Sequence, residues 1–122
     1  MKIYKSMITR ELVKSRSKDV WLFGDNLDGK GYGGMAKEIR GEPNAVGIPT
    51  KRHPSMSPDS FFMDNDYDIV VMVVEAALKH AEELAIKLGG EVIVPAGIGQ
   101  GWANLPQHAP KIWKYLKGRL GL

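Results

Sequence analysis

Residues 20–34 read VWLFGDNLDGKGYGG, a short apolar run followed at once by a glycine-rich loop. The four apolar residues Val20–Phe23 predict a strand that is buried on both faces. The same order recurs at residues 92–101, VIVPAGIGQG, where the apolar run Val92–Val94 precedes a second glycine loop. Strands of this kind are typical of layered α/β domains, because a parallel sheet covered by helices on both sides buries both faces of each strand.

Helical patterns alternate with these strands along the rest of the chain. The clearest helix is Tyr67–Leu88, whose apolar residues recur at helical spacing and which Gly89 closes. Its charged residues at i, i+4 positions predict ion pairs within the helix, namely Glu75, Lys79, Glu83 and Lys87. Weaker patterns predict an edge strand at Lys2–Lys5, short helices at Thr9–Ser15 and Gly33–Arg40, a third strand at Ala45–Ile48, a loop or lid at Pro49–Asn65, and a last helix of about ten residues with Ile112, Leu116 and Leu120 on one face.

The composition bounds the class of protein. With 122 residues, of which 43% are hydrophobic and 25% charged, the chain is expected to form one compact domain over residues 1–122, a three-layer α/β domain with a mostly parallel central sheet flanked by helices. The longest apolar run, Ile69–Val74, is far shorter than the ~20 residues that span a bilayer, and the N-terminus lacks a signal pattern. A cytoplasmic protein with no membrane partner is therefore expected.

Cysteine is absent, which excludes disulfides, thiolate nucleophiles and cysteine metal sites. The three histidines, His53, His80 and His108, are too scattered to predict a metal site, and no cofactor is indicated. The net charge of +3 is uneven, because the two ends of the chain are basic and the middle is acidic. The basic ends permit nucleic-acid binding, although neither interleaves aromatic residues in an RNA-binding pattern, so a solvated surface is the alternative.

Both glycine loops follow strands and precede helices, the place where open α/β sheets bind ligands. Glycines there let backbone N–H groups approach phosphate oxygens near a helix N-terminus. Neither loop has the spacing of a nucleotide-triphosphate loop or of a dinucleotide fingerprint. Two such loops together predict a ligand that carries phosphate.

Several segments resemble the macro domains, a family that binds ADP-ribose and in several branches hydrolyses ADP-ribosyl bonds. KIYKSMITREL is similar to the family's first strand and turn, VWLFGDN to the strand before its ribose loop, GKGYGGMAKEI to its glycine-rich segment, and VIVPAGIGQGWANLP to its last core strand and diphosphate loop. GIPTKRHPS resembles the strand and loop that carry the catalytic lysine of the lysine-dependent glycohydrolase branch. The chain is also similar to small uncharacterised proteins encoded by bacteriophages.

The resemblance implies binding of ADP-ribose or a related NAD-derived nucleotide through the two loops. Together with the loop pattern, it predicts these ligand-binding residues: Asn26, Gly31, Gly33, Gly34, Met35, Gly97, Ile98, Gly99, Gln100, Gly101 and Trp102. It also places Lys51 on the lysine that attacks the anomeric carbon of the distal ribose. That chemistry needs a neutral amine, and we expect the neighbouring Arg52 to lower the pKa of Lys51 by like-charge repulsion.

Two acids of the family pattern are replaced in this sequence. The catalytic aspartate of the branch falls on Ala103, and the aspartate that holds adenine falls on Ser6 or Met7. Asp25 and Asp28, in the segment that resembles the ribose loop, are candidates to replace the missing acid, and Asp25 stands beside Lys51 as the second catalytic candidate.

For several individual residues the sequence leaves the role open. Asn26 either caps the turn or contacts ligand, and Trp102 either stacks on a base or packs in the core. His53 is a candidate to reach a phosphate from the lid, whereas His108, in the last helix, is interpreted as a packing or capping residue. Trp21 is expected in the core.

Binding of the nucleotide is the leading hypothesis. The alternative is an ADP-ribosyl hydrolase that removes ADP-ribose from protein or nucleic acid with Lys51 as nucleophile. A second alternative is a phage-type sequestering or nucleic-acid-binding protein that uses its basic ends. Losing a residue that activates water typically costs ~10² to 10⁴ in rate, so Ala103 favours binding over catalysis.

Overall fold

The computed structural model describes all 122 residues, Met1–Leu122. The strands are β1 (Lys2–Tyr4), β2 (Val20–Asn26), β3 (Ala45–Lys51) and β4 (Val92–Pro95). The helices are α1 (Arg10–Ser15), α2 (Ala36–Ile39), α3 (Tyr67–Leu88), α4 (Leu105–His108) and α5 (Pro110–Leu120), with two short 3₁₀ turns at Pro58–Ser60 and Asp64–Asp66.

The four strands form one sheet in the order β1-β4-β2-β3, and every neighbouring pair is parallel. The predicted α/β fold with a parallel central sheet flanked by helices is therefore confirmed, and β1 is an edge strand as predicted. Because all strands run in one direction, their carboxyl ends meet at a single edge of the sheet.

Alternate residues of β2 enter two separate cores. Val20 and Leu22 lie in the larger core, which α3 and α5 complete, whereas Trp21 and Phe23 lie in a smaller core with residues of α1 and α2. This two-sided burial explains the uninterrupted apolar run. Trp21 is fully buried, as expected from the sequence.

The helix α3 has the bounds predicted for it, Tyr67–Leu88. It ends where Gly89 adopts a left-handed conformation, with φ of 82°, and donates its N–H to the carbonyl of Ala85. The predicted ion pairs along its surface are wrong, because Glu75 pairs with Arg119 of α5, and Lys79, Glu83 and Lys87 are in none of the ion pairs of the structure. No helix of the structure has both the length and the apolar character needed to cross a membrane.

Two strands run further than predicted. β2 continues past Phe23 to Asn26, and β3 continues past Ile48 to Lys51, because the two strands pair along their whole length up to Asn26 and Lys51. Pro49 is tolerated since β3 is an edge strand, where a missing N–H costs no ladder bond. As a result, Asp25 and Lys51 are held on strands and not on loops.

Three other boundaries differ from prediction. α2 begins at Ala36 and not at Gly33, because Gly34 has φ of 56° and interrupts the helix. The segment before the last helix forms an additional short helix, α4, and His108 belongs to it. Within the predicted loop, Phe61 forms an antiparallel bridge with Lys51. We call residues 52–60, which this bridge closes, the lid.

Candidate functional site

A cavity of about 670 Å³, the main cavity, lies at the edge of the sheet where the four strands end. Each strand supplies lining at or just past its carboxyl end: Ser6 after β1, Asn26 in β2, Lys51 in β3 and Pro95 in β4. Its size is within the range typical of small-molecule sites.

The main cavity brings together the two catalytic candidates and all the ligand-binding candidates, but not Asp28 or His53. Both catalytic candidates line it, Lys51 and Asp25. So do all the binding candidates: Asn26, Gly31, Gly33, Gly34, Met35, Gly97, Ile98, Gly99, Gln100, Gly101 and Trp102. These residues share one cavity but not one role, and the contacts that each residue makes distinguish their roles.

Two glycine loops, residues 29–34 and 97–101, flank the main cavity. In the first loop the backbone N–H groups of Gly31, Gly33 and Gly34 donate to no backbone carbonyl. The second loop has the same property at its glycines, Gly97, Gly99 and Gly101. The helices that follow, α2 and α4, have only four residues each, so they add little dipole. The free amides are therefore the hydrogen-bond donors that the two loops leave unused, the kind of group that binds anions in other proteins.

Arg40 fixes the first glycine loop from behind. Its guanidinium donates to the carbonyls of Gly31 at 2.8 Å, Gly29 at 3.0 Å and Lys30 at 3.2 Å. It also grips both carboxylate oxygens of Asp25, at 2.5 and 3.2 Å. Bidentate pairs of this kind fix geometry as well as charge.

This clamp corrects the role expected of Asp25. Both of its oxygens are engaged by Arg40, and one also accepts the N–H of Asn26 at 2.8 Å. Gly47 on the neighbouring strand makes room for the pair, since a Cβ there would overlap the Asp25 carboxylate. Asp25 therefore serves the shape of the loop and is not a free acid. No sequence signal near Asp25 points to Arg40.

Asn26 also shapes the loop. Its side chain donates to the carbonyl of Lys30 at 2.7 Å and accepts the N–H of Asp28 at 3.0 Å. Of the two alternatives left open by the sequence, the turn-forming role is the one for which the structure shows contacts.

Lys51 is 8% exposed and is one of the residues that line the main cavity. Nζ donates to the carbonyl of Ser55 at 2.5 Å, lies 3.6 Å from Sδ of Met56, and sits 4.8 Å from the centre of the Phe61 ring. Burial lowers the pKa of this amine, and no charged neighbour contributes. The expected cause was wrong, because Arg52 turns away to pair with Asp66.

The lid is attached to the first glycine loop. His53 bonds through Nδ1 to Oδ2 of Asp28 at 2.9 Å. Pro54 packs so closely on Gly31 that a Cβ at Gly31 would lie 2.9 Å from the Pro54 Cβ. His53 and Asp28 lie outside the cavity lining, so the structure does not support the expectation that His53 reaches a phosphate.

Four exposed large side chains line the main cavity: Met7, Tyr32, Met56 and Trp102. Trp102 is 67% exposed, which excludes the core alternative. Ala103 lines the cavity with only a methyl group, at the position where the resemblance to the macro domains predicts the catalytic aspartate. Glu38, which the sequence analysis missed, also lines the cavity and is in none of the ion pairs of the structure.

No group of three or more His, Asp or Glu side chains is placed to hold a metal ion. The fold and the site define an α/β domain with a cavity that two glycine loops flank at the carboxyl edge of its sheet. The sequence profile of a family of unknown function, DUF7831, matches residues 3–119, and the chain belongs to this family. Comparison with curated proteins and with solved structures gave no match.

Proposed function

We propose that the chain binds ADP-ribose or a related NAD-derived nucleotide in the main cavity. One observation carries the proposal: two glycine loops, each with free backbone amides, line the same cavity at the carboxyl edge of the sheet. A diphosphate offers many acceptor oxygens, which such amides bind without requiring a cluster of bases. The resemblance of several segments to the macro domains supports the choice of ADP-ribose.

The remaining lining also suits a nucleotide. Lys30 and Lys51 add positive charge, while the guanidinium of Arg40 is neutralised by Asp25. The exposed rings of Tyr32 and Trp102 in the lining offer flat surfaces for a base. At the position of the adenine-binding acid, Ser6 and Met7 line the cavity without charge, so selectivity for adenine is expected to be weak.

The direct test is a calorimetric titration with ADP-ribose at moderate salt. We expect a one-to-one complex of micromolar affinity or better. A carboxylate at Gly97 should repel the diphosphate by its negative charge. The fold should tolerate the substitution, because a Cβ at Gly97 meets nothing within 4 Å and the φ of Gly97 is not left-handed. Gly97→Glu is therefore expected to weaken binding at least about tenfold, since juxtaposed like charges cost several kcal/mol.

Gly118→Glu is the matched control, because Gly118 lies on α5 outside the cavity and its Cβ position is equally open. The same change at Gly99 is unsuitable, since a Cβ there would lie 2.9 Å from Trp113 and unfolding would mimic loss of binding. Equal affinity of the Gly97→Glu and Gly118→Glu variants would sink the proposal.

The second candidate function is hydrolysis of an ADP-ribosyl bond with Lys51 as nucleophile. The observation that favours it is the buried amine of lowered pKa, which keeps a larger neutral fraction than a solvated lysine. The Nζ lone pair would form a bond to the anomeric carbon, the bond from that carbon to the target would break with its electron pair going to the target, and the proton that Nζ releases would pass to the departing target. Glu38 is the carboxylate of the lining that is free to activate water afterwards.

Release of ADP-ribose from a modified protein or nucleic acid tests this chemistry. Lys51→Arg keeps the charge but has no neutral amine, so it should abolish release while ADP-ribose still binds. Lys30→Arg, in the same lining, should keep the rate. Release that survives Lys51→Arg would exclude Lys51 as nucleophile.

A further inference from the structure

A second, smaller concavity of about 290 Å³ opens beside the main cavity, and we call it the side groove. It is lined by Met56, Phe61, Gly101, Trp102, Asn104 and His108. Three of these residues, Met56, Gly101 and Trp102, also line the main cavity. One ligand can therefore occupy both spaces, with Trp102 against each part of it.

Stacked aromatic rings form one wall of the side groove. Phe61 and His108 stack with ring centres 4.1 Å apart and planes at 23°. The Lys51 amine lies 4.8 Å from the centre of the same Phe61 ring. The side groove thus starts at the ring that borders Lys51, which places it beside the end of the cavity where a distal ribose would meet that lysine.

Two polar groups are available in the side groove. The ring of His108 has no hydrogen-bond partner in the protein, unlike that of His53, which is bonded to Asp28. Asn104 donates from Nδ2 to Gln107 at 3.1 Å, which leaves its carbonyl oxygen open. Asn104 has φ of 42°, a conformation that costs free energy for a residue other than glycine.

The absence of charged side chains from the side groove limits the kinds of ligand that fit it. No Lys, Arg, Asp or Glu side chain lines the side groove. A carboxylate would find no cation there, and a guanidinium would find no acid. Aromatic walls with two hydrogen-bonding groups instead match a flat ring that carries nitrogen and amide groups at its edge.

We infer that the side groove is a subsite for a planar nitrogen heterocycle joined to the distal ribose of the nucleotide in the main cavity. This inference rests on the proposed function, since it takes the main cavity to hold ADP-ribose. The heterocycle is the nicotinamide of NAD or a nucleobase that carries ADP-ribose. The exposed ring of Trp102 contacts its face, and Asn104 and His108 bond to its edge, while Phe61 holds the His108 ring in place by stacking on it.

The test compares ADP-ribose, NAD, and ADP-ribose linked to a nucleobase. NAD is ADP-ribose with a nicotinamide ring on its distal ribose, so the difference in affinity isolates the ring. Stacking on aromatic side chains is expected to make at least one of the two ring-bearing ligands about tenfold tighter than ADP-ribose, and the tighter one identifies the source of the ring. Equal affinity for all three ligands overturns the inference.

Two variants locate the effect. Asn104→Gly removes the amide and suits the backbone, because glycine adopts φ of 42° without strain. His108→Ala removes the imidazole. Both should abolish the gain from the ring and keep the affinity for ADP-ribose, since neither residue lines the main cavity. A gain that persists in both variants places the ring elsewhere and overturns the inference.

Failure of the proposed function is distinguishable from failure of this subsite. If ADP-ribose does not bind, free nicotinamide and free nucleosides at millimolar concentration probe the side groove alone, with the indole N–H signal of Trp102 as the NMR readout. A shift that disappears in Asn104→Gly supports the subsite without the nucleotide. No shift with any ring excludes it.

Discussion

The absence of a side chain at Gly99 decides how the second glycine loop packs on the larger core. A Cβ there would lie 2.9 Å from Trp113, 3.1 Å from Leu105 and 3.2 Å from Leu116, and the backbone has φ of 81°. Both the contacts and the left-handed conformation require glycine. The same loop that leaves its amides free at the cavity is thus also packed on the core.

Gly99→Ala is therefore expected to lower the free energy of unfolding by about 2–4 kcal/mol, from overpacking and from left-handed strain. Gly118→Ala provides a contrast, because Gly118 is exposed within α5 and its Cβ position is open. Alanine in a helix interior should stabilise by roughly 0.5–1 kcal/mol. Urea denaturation of both variants measures the two signs, and equal midpoints would contradict the packing described for Gly99.

The burial of Lys51 predicts how the stability of the protein depends on pH. Burial lowers the pKa of its amine below the usual value of 10.5, so the folded state disfavours the charged form. The free energy of unfolding consequently rises with pH between the lowered pKa and 10.5, because the unfolded chain binds the proton more readily there. Lys51→Met should be more stable than the native protein at pH 7, and this advantage should shrink as the pH approaches 10.5.

Thermal unfolding of both proteins from pH 7 to pH 10 measures that difference. Lys79→Met, at an exposed position of α3, is the control and should show no such trend. A difference between native protein and Lys51→Met that does not change with pH would mean that the amine is charged and paired in the folded state.

Many of the residues that line the main cavity could be predicted from the sequence, but their partners could not. Glycines after buried strands carry a local pattern, and so does a lysine in a segment similar to a known motif. Arg40 and Asp25 pair across 15 positions of the chain, and Arg52 turns to Asp66 across 14. Only the fold brings such residues together, so Arg52 was given the wrong role and Arg40 none.

At the scale of elements, α3 and α5 are joined by one polar cluster. Glu75 of α3 accepts the hydroxyl of Tyr115 and the guanidinium of Arg119, both on α5. The hydrogen bond from Tyr115, followed by those from Arg119, lowers the pKa of Glu75. The buried faces of α3 and α5 form much of the larger core. The polar cluster lies outside that core and fixes the orientation of α5 relative to α3.

A pH dependence follows from this cluster. A carboxyl with a lowered pKa stabilises the folded state above its unfolded pKa, and the stabilisation is lost as the pH falls through the folded value. Glu75→Gln should therefore be less stable than the native protein at pH 7, and the difference should shrink as the solution is acidified below about pH 4. Glu83→Gln, exposed on the same helix, is the control. Equal stability of the native and Glu75→Gln proteins at pH 7 would remove the cluster from the account of stability.

The bounds of helices and strands could be predicted where local sequence features determine where the element begins and ends. α3 was predicted with its observed bounds, because its apolar spacing and its closing glycines are local features. β2 was ended too early, since Gly24, Asp25 and Asn26 are turn formers, yet the ladder with β3 keeps them extended. α4 was missed because Pro106 and Pro110 break the pattern into short pieces.

At the scale of the whole molecule, both glycine loops, the lid and the ends of all four strands contribute to one cavity, so a ligand that fills it would touch all of them. Binding to the folded state alone stabilises it by about 2.7 kcal/mol when the ligand is at 100 times its dissociation constant. ADP-ribose should accordingly raise the unfolding temperature by several degrees and slow amide hydrogen exchange in both glycine loops together.

Differential scanning calorimetry and hydrogen exchange measure these effects, with the Gly97→Glu variant as the negative control. Protection confined to one glycine loop would show that the ligand does not bridge them. The two loops lie about 65 residues apart in the chain, so joint protection requires the folded sheet.

The Arg40 clamp also bears on the kinetics of association. Five hydrogen bonds from one guanidinium hold residues 25–31 in place before any ligand arrives. The entropy of ordering this loop has thus been spent during folding and does not slow the encounter. The observed rate of ligand capture should rise linearly with ligand concentration, with no plateau from a slow rearrangement of the loop.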